Sequence, residues 1–293
     1  MIVKLTVLAA AVLLVAYFVY RQSSGYVTVR YDLVTDKDID APVRFVVLSD
    51  LHDTDVTHDG NEKLIDSVVS LDPDFVILAG DMITSYMQPS YDPGITYDFL
   101  RKLSKKCTVY FGLGNHEQRY KAEPERFPGK FEELIRIADE CSIRVLSNSF
   151  ADIEGRNVRI YGFDVPIENY RRVVTKKMPD SIVSDTFGGN ADSRFYDILI
   201  AHDPDFFDEY VKFRPDLVLA GHLHGGIVSI PLIGGLISPQ LKLFPKYYAG
   251  LFKKEDTSMI VSRGIGWHSM PIRIFNKAEI LLVEIRKEGK GEE

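Results

Sequence analysis

VRFVVLSDLH, residues 43–52, is an apolar run that stops on an aspartate and a histidine one residue apart. The stretch from Val43 to Ser49 is short, rich in Val and continuous in its hydrophobicity, which predicts a strand buried on both faces. Two ionisable residues directly after a buried strand are costly unless something pairs with them.

The same ending recurs along the chain. VILAG runs into Asp81, VYFGLG into Asn115 and His116, DILIA into His202, and LVLAG into His222, Leu223 and His224. In open α/β sheets the carboxyl ends of strands are where sites assemble. Five of the seven histidines fall in these clusters, together with two aspartates and an asparagine. A lone histidine on an apolar strand is ordinarily a satisfied core residue. Five at equivalent strand ends are not explained that way.

The chain has 293 residues, 45% hydrophobic and 26% charged, enough for a sizeable core. Its net charge of −7 argues against a nucleic-acid partner. A small phosphorylated substrate stays open, because a bound metal inverts the local sign. Strand–helix alternation predicts helices over 61–72, 95–105 and 130–140. Strand-rich sequence follows, with VRIYGF, YDILIAH, IVSIP, SMIVSRG and AEILLVEIR. The expected fold is α/β: two packed mixed β-sheets flanked by α-helices. The segment 171–193 is expected to be a mobile loop.

Residues 5–20 (LTVLAAAVLLVAYFVY) carry no charge and are closed by Arg21. This predicts a signal anchor or transmembrane segment over 1–24 and one catalytic domain over 25–293. Charges flanking the run do not decide its orientation. A single-pass anchor with the catalytic domain outside the cytoplasm is the commoner arrangement. Cys107 and Cys141 each precede a strand-like run. Neighbouring strands could bring them together, but free half-buried thiols are the better reading.

Imidazole and carboxylate without thiolate suit two divalent ions such as Mn, Zn or Fe. Two cations held close together need a bridging anion. They lower the pKa of a bridging water, so that hydroxide is available near neutral pH, and they clamp charge on a phosphoryl group. The pattern Asp50-x-His52, Gly80-Asp81, Gly114-Asn115-His116-Glu117, His202 and Gly221-His222-Leu223-His224 resembles the calcineurin-like metallophosphoesterases, from Val43 to the C-terminus. Downstream, GHLHGG, IPLIGG, LFPKYYAGLF and PIRIFNKAEI are similar to the bacterial, membrane-anchored YkuE/YaeI-type branch.

The resemblance implies one ion on Asp50, His52 and His224, and a second on Asn115, His202 and His222, with Asp81 bridging. It implies that His116 contacts the phosphoryl oxygen and protonates the leaving group. Gly80, Gly114 and Gly221 would let backbone pass close to the ions. The GDxxDRG motif of the phosphoprotein phosphatases is absent, since Asp81 is followed by MITS. Where the branch commonly has Gln after GHxHGG, this chain has Ile227.

The apolar stretch 227–252, with Lys242, Lys246, Tyr247 and Tyr248, is expected to supply a membrane-facing wall beside the metals. A phospholipid or lipid-linked phosphate is the expected substrate class, and the activity a phosphodiesterase or phosphatase. A non-catalytic metal-binding protein of the same fold and a different metallohydrolase are the competing classes. His58, in a polar loop, and His268, after Gly266-Trp267, read as surface residues at the site's margin.

Overall fold

The computed structural model describes residues 2–85, 91–170, 177–226, 228–230, 234–237, 245–267 and 273–288. Fourteen strands are found among these: β1 (Tyr26–Thr35), β2 (Val43–Leu48), β3 (Phe75–Leu78), β4 (Val109–Gly112), β5 (Arg144–Leu146), β6 (Ser149–Ile153), β7 (Val158–Phe163), β8 (Tyr196–Ala201), β9 (Leu217–Ala220), β10 (Val228–Ile230), β11 (Gly234–Ile237), β12 (Gly250–Lys254), β13 (Thr257–Val261) and β14 (Ala278–Lys287). The helices are α1 (Ile2–Ser23), α2 (Glu62–Ser70), α3 (Gly94–Ser104), α4 (Asn115–Ala122), α5 (Lys130–Glu140), α6 (Ile182–Phe187) and α7 (Phe207–Phe213).

Two six-stranded sheets form, in the orders β1-β14-β2-β3-β4-β5 and β12-β13-β9-β8-β7-β6, with β10-β11 as a separate hairpin. Both sheets are mixed. β2, β3, β4 and β5 run parallel, as do β7, β8, β9 and β13, while β14 is antiparallel to β2 and parallel to β1.

Strand alternation distributes side chains between layers. Val43, Phe45 and Val47 of β2 pack between the sheets with Ile77, Ile198, Ile200, Leu219 and Val283. Val46 and Leu48 face the other way, onto Leu64 and Val68 of α2, Phe99 and Leu103 of α3, and Leu134 and Ile137 of α5. The second sheet is backed by Val183 of α6 and by Tyr210, Val211 and Phe213 of α7. This four-layer arrangement explains why the central strands read as unbroken apolar runs. The helical repeats of α2, α3 and α5 fall where their i, i+3, i+4 spacing puts them.

Several expectations change in detail. The 171–193 segment contains α6, and residues 171–176 lie outside the described set. A helix unforeseen from the sequence, α4, begins at Asn115 itself. Tyr247 is buried against Phe207 and Phe252 in the outer layer of the second sheet, so it belongs to the core and not to a membrane-facing rim. Lys246 is exposed above the Tyr247 ring and Tyr248 is half-buried. Lys242, Ile227 and His268 lie outside the described residues. Cys107 and Cys141 are free and half-buried. Among the described residues no helix is long and apolar enough to cross a membrane. In α1, however, Val12, Leu13, Leu14, Val15 and Tyr17 are exposed by 59–70%.

Candidate metal centre

The five ligand clusters sit at the carboxyl ends of β2, β3, β4, β8 and β9, so three come from one sheet and two from the other. Hydrogen bonds join these loops across the gap. Asp50 N–H donates to Gly80 O (2.9 Å) and His52 N–H to Asp81 O (3.1 Å). His222 N–H donates to Asp50 Oδ1 (3.0 Å), His202 Nδ1–H to Ala79 O (2.7 Å) and His116 N–H to Asp81 Oδ1 (2.8 Å).

Three overlapping groups of ligand atoms result, each lying within 4.8 Å: Asp50–His52–His224, His52–Asp81–His116 and Asp81–His202–His222. Asp81 belongs to two of them. His52 Nε2 and His224 Nε2 are 2.9 Å apart, with Asp50 Oδ1 3.3 Å from His224 Nε2. On the other side, His202 Nε2 is 3.1 Å from Asp81 Oδ2. All seven expected ligands are therefore gathered in one place, and His116 stands beside them.

The donor chemistry fits cations. Because His202 Nδ1 donates to a carbonyl, its neutral tautomer presents the Nε2 lone pair to carboxylate oxygens, and this buried nitrogen has no hydrogen-bond partner. The Asn115 side-chain oxygen lies 2.7 Å from His222 Nδ1 and 3.2 Å from Asp81 Oδ2, while its amide nitrogen faces Arg119 and the His116 N–H. Hydrogen bonding alone would turn that amide around. A cation at the convergence calls for the oxygen where it is.

The electrostatics make the same demand. Burial pushes the Asp50 carboxyl up to about 6, against the attraction of His202. Burial also disfavours charge on Asp81, yet the His202 and His116 imidazoles hold it well below the usual carboxylate range. His202 loses basicity to burial, but Asp81 overrides this and raises it to about 10. The acids thus draw positive charge into the cluster, as a divalent ion would supply.

His116 differs from the other histidines. Its Nδ1 accepts from the Ser85 N–H (2.8 Å), which leaves the proton on Nε2, 4.0 Å from Asp81 Oδ2. That tautomer makes the neutral ring a hydrogen-bond donor at Nε2.

Backbone conformation is a second, unforeseen feature. Asp50, His52, Asp81, His222 and His224 all have positive φ, between 49° and 70°. Each such residue costs about 1–3 kcal/mol and is kept only where surrounding contacts over-determine it. Glycines permit those contacts. A Cβ on Gly80 would approach Gly114 Cα at 2.7 Å, and one on Gly114 or Gly221 would strike Asp81 or Asp50 respectively. The glycines therefore allow close approach to the ligand carboxylates and their backbone.

Three positioning residues were not singled out from the sequence. Glu117, fully buried, accepts from the backbone N–H of Asp81 (2.9 Å), Gly114 (2.9 Å) and Ile83 (3.1 Å), tying two ligand loops together. Burial and the neighbouring Asp81 raise it to about 7. Arg273, also buried, donates to Gly266 O (2.7 Å) and Gly264 O (3.3 Å) behind Asp50. Asn276 Nδ2 donates to His224 O (2.6 Å). Only Glu117 had a local signal, its place in GNHE; the others act through tertiary contacts far along the chain.

Over residues 43–226 the chain matches the family described as calcineurin-like phosphoesterase. It is 26% identical over 271 residues to a Danio rerio "Transmembrane protein with metallophosphoesterase domain", covering 84% of this chain and 53% of that protein. It is 25% identical over 280 residues to Escherichia coli "Phosphodiesterase YaeI", covering 92% of each. To Bacillus subtilis "Uncharacterized metallophosphoesterase YkuE" it is 32% identical over 94 residues, covering 32% of each. The chain thus spans about half the length of the Danio rerio relative, and of a similar Caenorhabditis elegans one. A Thermus thermophilus 5'-nucleotidase precursor superposes with a TM-score of 0.45 at 15% identity, covering 76% of this chain and 49% of that one. With the match taking in central strands of both sheets and every ligand loop, the chain belongs to the calcineurin-like phosphoesterase family, whose members are metallophosphoesterases.

Proposed function

We propose that the protein is a dinuclear metal-dependent phosphoester hydrolase. Asp50, His52 and His224 would hold one ion, Asn115, His202 and His222 the other, and Asp81 both. The observation that carries this reading is the convergence of the Asn115 oxygen, Asp81 Oδ2 and the ring nitrogens of His202 and His222 on one point, where acceptors face acceptors. Two divalent ions, when bound, supply Lewis-acid stabilisation of phosphoryl charge and make water nucleophilic near neutral pH.

This chain's own residues do the rest. Water oxygen forms the new bond to phosphorus, the bond from phosphorus to the leaving oxygen breaks, the proton given up by water passes through solvent to that oxygen, and His116 Nε2–H hydrogen-bonds it as its charge develops. Ser85 holds the required tautomer through its N–H on Nδ1. Glu117 and the hydrogen bond from His116 N–H to Asp81 keep His116 and the ligands in register. We assign the hydrogen-bonding role to His116 because its ring, on α4, has Nδ1 occupied as an acceptor and so carries its proton on Nε2.

We further infer that α1 seats in a bilayer as the anchor of the domain, with the catalytic domain outside the cytoplasm. Its exposed Val, Leu and Tyr side chains and the word transmembrane in the name of the Danio rerio relative support this. A lipid-linked phosphoester is then the substrate class a tethered site would meet.

Metal analysis with hydrolysis of a chromogenic phosphodiester tests the core of the reading. Two ions per chain and activity abolished by Asp81→Ala are expected. Tight metal binding without hydrolysis of any phosphoester would favour a non-catalytic metal-binding protein.

A further inference from the structure

A cavity of about 490 Å³ lies between α1 and the loop that follows His52, walled by Ala16, Val19, Tyr20, Val56, His58 and Trp267. Its volume is in the range of small-molecule sites. One wall is tied directly to the candidate metal centre. Gly266 N–H donates to Asp50 O (2.9 Å), Trp267 N–H to Thr54 Oγ1 (3.4 Å), and Thr54 Oγ1 to His52 O (3.4 Å).

The opposite wall is α1, which is fastened to the domain. Ser23 Oγ accepts from Arg273 N–H (2.9 Å) and donates to Arg273 O (3.2 Å), and Phe18 meets Phe275 edge-on at 5.6 Å. The same Arg273 secures Gly264 and Gly266 behind Asp50. The space is therefore built into the fold and is not a gap beside a loose tail.

Among the described residues the lining is mostly apolar, with Ser23, Ser24 and Gly25 at the end of α1 and with His58 and Tyr20 as its ionisable side chains. Such a surface has little to hold a free anion. Further along the same helix, Val12, Leu13, Leu14, Val15 and Tyr17 are exposed, so α1 carries exposed apolar side chains next to those that line the cavity.

We propose that this cavity is a lipid-chain site: it takes the proximal acyl chain of a membrane phosphoglyceride whose phosphoester lies at the Asp81–His116 centre. This rests on the hydrolase reading above and names its substrate class. The chain's insertion would remove apolar area from water at about 25 cal/mol per Å², favouring lipid esters over soluble ones.

Trp267 is the only tryptophan in the chain, which gives a readout independent of turnover. The full-length protein is mixed with phosphatidylcholine vesicles carrying brominated or ordinary acyl chains, and Trp267 fluorescence is compared. Bromolipid is expected to quench it strongly. Ala16→Phe, which fills the cavity from α1, should abolish most of that quenching while the protein still sediments with vesicles. Hydrolysis of phosphatidylcholine should fall by about tenfold or more, with chromogenic diester turnover within about twofold. Val56→Phe fills the cavity from the other side and should act alike if Ala16→Phe disturbs α1. Equal quenching in both filled variants would show that Trp267 merely touches the bilayer, and overturns the proposal. So does an absence of quenching in the unmodified chain. Loss of all hydrolysis with quenching as expected would instead count against the hydrolase reading alone.

Discussion

Replacing Gly114 by alanine isolates what close backbone approach contributes to the candidate metal centre. Gly114 has φ −91° and ψ −173°, a conformation open to alanine, so the substitution carries no backbone strain. The new Cβ would stand 2.9 Å from Asp81 Cγ and closer still to Asp81 Oδ1 and N. Carbon atoms prefer about 3.5–4.0 Å, so Asp81 or the Asn115 turn must retreat by roughly 0.6 Å or more. Overpacking of this kind costs about 1–3 kcal/mol, or about 2–10 °C in Tm. The larger effect falls on function, since a misplacement near 1 Å costs about a hundredfold in rate. The assay is kcat on a chromogenic phosphodiester at saturating Mn²⁺, with metal stoichiometry and Tm measured alongside. Gly129→Ala is the control. Gly129 sits at φ +71° with nothing near its Cβ, so it should lose about 1 kcal/mol of stability and no activity. A Gly114→Ala protein with kcat and metal affinity within threefold of the parent would refute the steric account.

Two further outcomes follow from the structure. His202→Gln should leave one ion per chain and lower kcat by about a hundredfold or more, because glutamine does not reproduce the pairing of a donor to Ala79 O with an acceptor at Asp81; two retained ions would remove His202 from the ligand set. Asp197 is fully buried with neither oxygen hydrogen-bonded, and burial raises it to about 7 despite Lys37 at 3.6 Å. A carboxyl raised on folding stabilises in its protonated form, so its contribution is whole below about pH 4 and is lost as pH rises from there to about 7. Asp197→Asn should match the parent in stability near pH 4, exceed it increasingly as pH rises to about 7, and keep a level advantage of about 2–4 kcal/mol above that; a difference independent of pH would contradict this.

Much of the architecture was legible in local pattern. Helical spacing anticipated α2, α3 and α5 closely, and apolar runs anticipated the central strands, because each element buries a face with its own period. The ligand set was legible for a related reason: ionisable residues directly after buried strands need partners, and five such endings imply a shared one. Local pattern did not show α4, since NHEQRYKA has almost no apolar stripe and its first turn is organised by Glu117 reaching the Gly114 and Asp81 amides. Nor did it identify Tyr247 as a core residue, because an amphipathic tyrosine suits a membrane rim and an aromatic cluster equally well.

By itself, then, the sequence determined which residues carry charge and ligand atoms, and at which strand ends they emerge. Tertiary structure alone decided that β14 lies between β1 and β2, that α1 is pinned through Ser23 to Arg273, and that five ligand residues adopt positive φ. These are long-range outcomes. A left-handed aspartate costs free energy locally, and contacts such as the His222 N–H on Asp50, from 172 positions away, hold it there.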